Sequence, residues 1–200
     1  VARPRRTPPA EDAQRLVGAY EKALVEAGRQ NNSLVALDAD LILDCGLISF
    51  RDSFPDRFFE CGIAEQDMVS QAEGMALKGL LPVVHSFACF LTPRANEQIY
   101  NNATEKTKII YVGSLVGLVP GGPGHSHQSV RDISALAAVP DLTLLEPCCE
   151  REVGMAVDYA TEEASSSIYL RLVSIPCAIP FDLPADYRLE EGRGVTLIEG

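Results

Sequence analysis

Glu65 is the fourth residue of Gly62-Ile63-Ala64-Glu65-Gln66, directly after the apolar run 57–61. A strand turning at Gly62 into a helix leaves this carboxylate in the helix's first turn. Unpaired N–H groups and the positive end of the helix dipole favour negative charge there. An acid so placed, and buried, can share a proton with a weakly basic ring nitrogen. Phe87 and Phe90, in Phe87-Ala88-Cys89-Phe90, close another apolar run and offer a flat wall for offset stacking. His125 and His127 are two of the chain's three histidines and lie in Gly124-His125-Ser126-His127-Gln128, poised to donate hydrogen bonds or carry protons. They lack a nearby third ligand, so no metal site is expected.

Each residue also has a plainer reading. Glu65 alone is a helix-start acid, the phenylalanines are core, and Arg94 is a solvated helix arginine. Asp38 and Asp40 sit just beyond the apolar run 33–37, where strand-end aspartates commonly serve turns and caps. His85, inside an apolar run, reads as a satisfied core or edge histidine.

The elements that must position these groups follow from the apolar pattern. Unbroken runs at 33–37, 57–61, 81–87, 108–113, 142–146 and 167–172 have the character of strands buried on both faces. Helical segments are expected over 12–28, 64–78, 93–106, 130–138 and 150–163, with Asp12 capping the first and Gly28 ending it. This alternation predicts an α/β fold: a doubly wound, mainly parallel sheet of about six strands with helices on both faces. Two long connections interrupt it, 38–55 and the Gly/Pro-rich 114–129. Ligands of open α/β sheets bind beyond the carboxyl ends of the strands. Both connections, the Gly62 turn and Phe87–Phe90 should share that edge.

Residues 1–11 read as an arm or linker, 12–186 as one domain, and 187–200 as a linker with the first strand (195–198) of a further domain. Lysine plus arginine number 17 against 28 aspartates and glutamates, a formal net charge of −11. So acidic a chain is a poor partner for nucleic acid. No apolar run approaches the ~20 residues that cross a bilayer. The six cysteines form no CxxC pair and suit reduced, buried thiols of a cytoplasmic protein.

The string Gly62-Ile63-Ala64-Glu65-Gln66 after an aromatic strand, then Pro82–Phe90, resembles the pyrimidine-binding domain of the transketolase family of thiamine-diphosphate enzymes, over roughly residues 34–171. The resemblance implies that Glu65 hydrogen-bonds N1′ of the cofactor's aminopyrimidine and so helps to remove the proton from thiazolium C2. It makes Phe90 the stacking residue, with Phe87, Asp40 and Arg94 beside the cofactor. His127-Gln128 matches a substrate-contacting His-Gln, with His125 and Arg171 as further substrate residues. The implied enzyme transfers a two-carbon ketol unit to or from a small carbonyl substrate.

Departures from the family pattern are equally specific. Pro120-Gly121-Gly122-Pro123-Gly124 replaces an acidic segment before the His-Gln, and Val112 stands where sugar-phosphate transketolases place a histidine. The loop is closer in flavour to the beta subunits of 2-oxoacid dehydrogenases, which is the alternative enzyme; a non-catalytic dimerisation module of the same fold is the other. No Gly-Asp-Gly occurs in the sequence. The diphosphate and Mg²⁺ would therefore be held by a diphosphate-binding partner domain or subunit, in a homo- or hetero-oligomer of at least two-fold symmetry. The chain alone is expected to be inactive.

Overall fold

The computed structural model describes residues 13–119 and 121–197. The expected arm, the Asp12 cap and Ile198 lie outside them. Six strands form one wholly parallel sheet in the order β2-β1-β3-β4-β6-β5. They are β1 Leu34–Asp38, β2 Phe58–Glu60, β3 Leu81–Phe87, β4 Ile110–Ser114, β5 Thr143–Leu145 and β6 Ile168–Arg171. Each falls within a residue or two of an apolar run. β1, β3 and β4 are buried throughout, which is why the runs are unbroken rather than alternating.

Strand periodicity divides the side chains between two cores. Leu34, Ala36, Leu81, Val83, Ile110, Val112, Ile168 and Leu170 face one side, where α1 (Leu16–Gln30) and α7 (Glu150–Asp158) pack. Val35, Leu37, Val84, Tyr111 and Tyr169 face the other, beneath α3 (Glu65–Leu77), α4 (Ala88–Arg94), α5 (Asn96–Thr104) and α6 (Asp132–Leu136). The fold is doubly wound α/β, as expected.

Three local expectations are corrected. Gly28 does not end α1, which runs on to Gln30. It is glycine because a Cβ there would meet Phe54 at 2.7 Å and Phe50 at 2.8 Å. The helix expected over 93–106 is two helices: Pro93 lies in the last turn of α4, and the chain breaks at Ala95 before α5. The connection 38–55 contains a short helix, α2 (Ile48–Ser53), which seats Phe50 in the core. Residues 195–197 have no strand partner among the described residues.

The parallel registers bring Asp38, Glu60, Phe87, Ser114 and Arg171 to one edge of the sheet. Chain order reverses between β1 and β3, so a crevice opens there at the strands' carboxyl ends.

Candidate active site

Gly62 makes the turn after β2 with a positive φ of 69°, a conformation that favours glycine. Its N–H and that of Asp40 both donate to Glu60 Oε1, at 2.8 and 2.9 Å. The turn that delivers Glu65 is thus tied to the end of β1. Glu65 opens α3 and is almost wholly buried, at 3% exposure. Its Oε1 accepts from Arg94 Nη1 at 2.7 Å and from Ser86 Oγ at 3.2 Å. Among the described residues no hydrogen bond reaches Oε2. Glu65 and Arg94 line an open cavity of about 820 Å³ between α3 and α4.

Arg94 makes a second contact. Its guanidinium lies 4.1 Å from the Phe90 ring centroid, within cation–π range. Phe90 meets His127 edge-on at 5.1 Å between centroids, and Phe87 lies 5.8 Å from Phe90 and 6.1 Å from His127. The structure therefore brings together five residues singled out from sequence: Glu65, Arg94, Phe90, Phe87 and His127. Ser86, unremarkable within an apolar run, joins them because strand alternation turns it toward Glu65.

The His127 loop is braced from below. Its ends are pinned by Gly117 N–H donating to the Ser129 carbonyl at 3.0 Å. Asp132, fully buried at the start of α6, accepts from Arg171 Nε at 2.7 Å and from Tyr169 OH at 2.9 Å. Gly113 permits this, since a Cβ there would meet the Tyr169 hydroxyl at 2.5 Å. Arg171 also pairs with Glu146, so its guanidinium lies in an internal ion-pair network and outside the Glu65 cluster. Asp132 carried no sequence signal of its own; its role depends on β6.

Asp40 is exposed on the same edge in a left-handed conformation, φ 62°, and its carboxylate makes no hydrogen bond among the described residues. Asp38 is the buried one. Its Oδ2 accepts from Leu41 N–H at 2.7 Å, while Oδ1 has no partner. Burial pushes its pKa up to about 7; the Leu41 N–H opposes this and the neighbouring Glu60 reinforces it. His85 is fully satisfied: Nδ1 lies 2.9 Å from the Leu37 carbonyl and Nε2 2.6 Å from Tyr20 OH. Nδ1–H donates to the carbonyl, so Nε2 accepts from the tyrosine. Burial lowers its pKa to about 4.

All six cysteines are free thiols. Burial pushes Cys45 up to about 12 and Cys61 to about 11, so neither is an activated nucleophile. The described residues hold no cluster of three potential metal ligands, and none of their helices is long and apolar enough to cross a membrane.

The model of the transketolase pyrimidine-binding domain matches residues 13–173. The chain belongs to this family. It is 31% identical over 182 residues to a Methanocaldococcus jannaschii protein provisionally named a transketolase C-terminal section, covering 90% of this chain and 57% of that one. A 1-deoxy-D-xylulose-5-phosphate synthase of Natranaerobius thermophilus is 32% identical over 190 residues, covering 95% of this chain and 27% of that one. Among solved structures, a split-gene transketolase described as an inactive beta4 tetramer superposes with a TM-score of 0.79 at 34% identity, over 94% of this chain and 59% of that chain. The chain thus spans at most about three-fifths of these similar proteins.

Membership of the transketolase family implies dependence on thiamine diphosphate. The pyrimidine half of that cofactor fits the residues present: a buried carboxylate with one uncommitted oxygen stands beside an aromatic wall and an open cavity.

Proposed function

We propose that this chain supplies the pyrimidine-binding half of a thiamine-diphosphate enzyme that transfers a two-carbon ketol unit, and that a diphosphate-binding partner completes the site. The observation that carries the reading is Glu65, 3% exposed yet with Oε2 free of any hydrogen bond among the described residues. Oε2 is not one of the buried unpaired oxygens of the described residues; it opens on the cavity that Glu65 and Arg94 line, where a ligand's donor can meet it. Thiamine diphosphate, when bound, supplies the electron sink for carbon–carbon bond chemistry at a carbonyl.

This chain's residues then divide the work. Glu65 Oε2 meets the pyrimidine's ring nitrogen and holds the proton there. Arg94 and Ser86 fix the carboxylate by holding Oε1, and Arg94 also packs on one face of Phe90. Phe90 walls the pyrimidine, with Phe87 beside it. His127, edge-on to Phe90, faces the substrate and donates to or takes a proton from its oxygen atoms. Mg²⁺ belongs to the partner, since Mg²⁺ prefers phosphate oxygens with one or two carboxylates and the chain contains no Gly-Asp-Gly segment. Asp40 stands at the same edge, where the partner and the rest of the cofactor would approach.

The reading is tested by reconstitution. The chain is purified with a diphosphate-binding domain or subunit, thiamine diphosphate and Mg²⁺, and assayed both for ketol transfer and for decarboxylation of 2-oxoacids. Ketol transfer that needs both components supports it. Decarboxylation alone would favour the 2-oxoacid dehydrogenase alternative, which the Pro120–Gly124 segment suggests, and transfer by the isolated chain would contradict the half-site.

A further inference from the structure

Asp38 and Glu60 end neighbouring strands, and neither has a part in the work assigned to the site. β1 and β2 run parallel with Asp38 opposite Glu60, so both side chains leave the same face of the sheet, roughly 5 Å apart at their roots. Cys61 N–H donates to the Asp38 carbonyl at 2.9 Å and carries the pairing one residue past β2. Asp38 is fully buried; its Oδ2 accepts from Leu41 N–H at 2.7 Å, and its Oδ1 is buried without a partner. Glu60 is exposed, and its Oε1 takes both the Asp40 and the Gly62 N–H groups. Two facing carboxyl groups thus each keep one oxygen that no donor meets among the described residues.

The titratable groups around Asp38 bring no positive charge. His85 lies opposite it on β3, but both its ring nitrogens are engaged and burial lowers its pKa to about 4, so it is neutral near pH 7. Cys45 and Cys61 are neutral thiols, pushed by burial up to about 12 and about 11, and burial raises Tyr20 as well. Asp40 and Asp44, in the connection after β1, and Asp67 on α3 add only negative charge. A buried carboxylate with neither cation nor sufficient donors takes up a proton instead. Burial holds the Asp38 pKa up at about 7, opposed by the Leu41 N–H and reinforced by Glu60. Two carboxyl groups so placed do not both ionise readily, and one proton can serve both.

We propose that Asp38 is a positioning residue: it carries a proton that it donates to the free oxygen of Glu60, and this acid–carboxylate pair fixes the Gly62 turn from which α3 starts. The inference rests on the role proposed above for Glu65, the first residue of α3. Glu60 is the link, since one of its oxygens holds Gly62 and Asp40, both at positive φ. Loss of the proton sets two carboxylates side by side. Their repulsion drives Glu60 outward, its grip on the Gly62 N–H slackens, and Glu65 loses its fixed place as pH rises through neutrality.

The test begins with NMR of the full chain, its aspartate carboxyls labelled with carbon-13 and its amides with nitrogen-15, Asp38 being assigned by its loss in Asp38→Asn. The Asp38 carboxyl should titrate with a midpoint near 7, and the Gly62 and Asp40 amides should move with the same midpoint. Asp38→Asn should abolish that movement, and Glu60→Gln should lower the midpoint. An Asp38 carboxyl already ionised at pH 5, amides that ignore its titration, or an unmoved midpoint in Glu60→Gln would each overturn the proposal. Thiamine diphosphate affinity is then measured in the reconstituted enzyme for wild type and Asp38→Asn, whose amide can donate to Glu60 at every pH. Their ratio cancels the cofactor's own titration. It should be close to one at about pH 6 and favour Asp38→Asn by about tenfold or more at about pH 9, within the limit of tenfold per pH unit for one proton. A flat ratio would contradict a positioning role. No cofactor binding by the wild type at any pH, with the carboxyl and amide titrations as expected, removes the function proposed above and leaves the hold of Asp38 on the turn.

Discussion

His85 and Ser86 are neighbours on β3, and they serve opposite faces of the sheet. His85 turns toward α1, where Tyr20 and the Leu37 carbonyl satisfy both ring nitrogens. Ser86 turns toward α3, where it helps hold Glu65 through one oxygen and leaves the other uncommitted. Both environments bury a titratable side chain almost completely, at 0% and 3% exposure. The difference lies in completeness. Where every polar atom has an internal partner, the group is part of the scaffold. Where one is left open beside a cavity, the group is free to meet a ligand, as proposed for Glu65.

The sharpest way to break this contrast is to alter the open side. In the reconstituted enzyme, Glu65→Gln should lower turnover by about 10²–10⁴-fold, the range of a lost acid–base group. Its thermal unfolding should stay close to that of the wild type. A large fall in melting temperature would make Glu65 a structural residue like His85.

Altering the closed side should do the reverse. Tyr20→Phe leaves His85 Nε2 buried without a donor, and should cost about 1–3 kcal/mol in chemical denaturation while cofactor affinity is unchanged. A smaller effect is expected between the two. Arg94→Lys keeps the charge but loses the flat guanidinium over Phe90, and should weaken cofactor binding roughly fivefold, about 1 kcal/mol.

The subtlest prediction concerns pH. His85 has a lowered pKa, so its contribution is present above the ordinary 6.5 and lost as pH falls toward about 4. Asp38 has a raised pKa, so its contribution is present below the ordinary 3.8 and lost as pH rises toward about 7. The two oppose each other over most of that window and flatten the wild-type profile. Asp38→Asn keeps an acceptor for Leu41 N–H and offers Glu60 a donor in place of a second carboxyl. It should leave stability falling steadily from pH 6.5 to 4, with a gain over the wild type at pH 8, read by denaturant melts across that range.

How much of this was legible from the sequence follows the same division. Strands buried on both faces leave unbroken apolar runs, so all six were readable, and with them the edge that carries the site. That Glu65, Phe90 and His127 would lie together was readable because a particular string surrounds each of them. Gly28 was misread because a glycine near a helix end and a glycine under two aromatic rings look alike until Phe50 and Phe54 are placed. The break at Ala95 was missed because Pro93 lies in the final turn of α4 rather than at the start of α5. Ser86, Asp132 and the Asp38–Glu60 pair depend on parallel register or on contacts between distant strands. A polar residue closing an apolar run was the available hint for the first and third. The pairing of Arg171 with Asp132 and Glu146 was likewise illegible, because it joins β6 to residues 39 and 25 positions away.

The central claim is that Glu65 acts on the cofactor through its free oxygen. It is tested most directly by the rate of deuterium exchange at C2 of thiamine diphosphate bound to the reconstituted protein, with wild type and Glu65→Gln compared at saturating cofactor. A fall of about a hundredfold or more in the variant, within the acid–base range, is the predicted result. Equal exchange rates with the cofactor bound to both would contradict the account and return Glu65 to the scaffold.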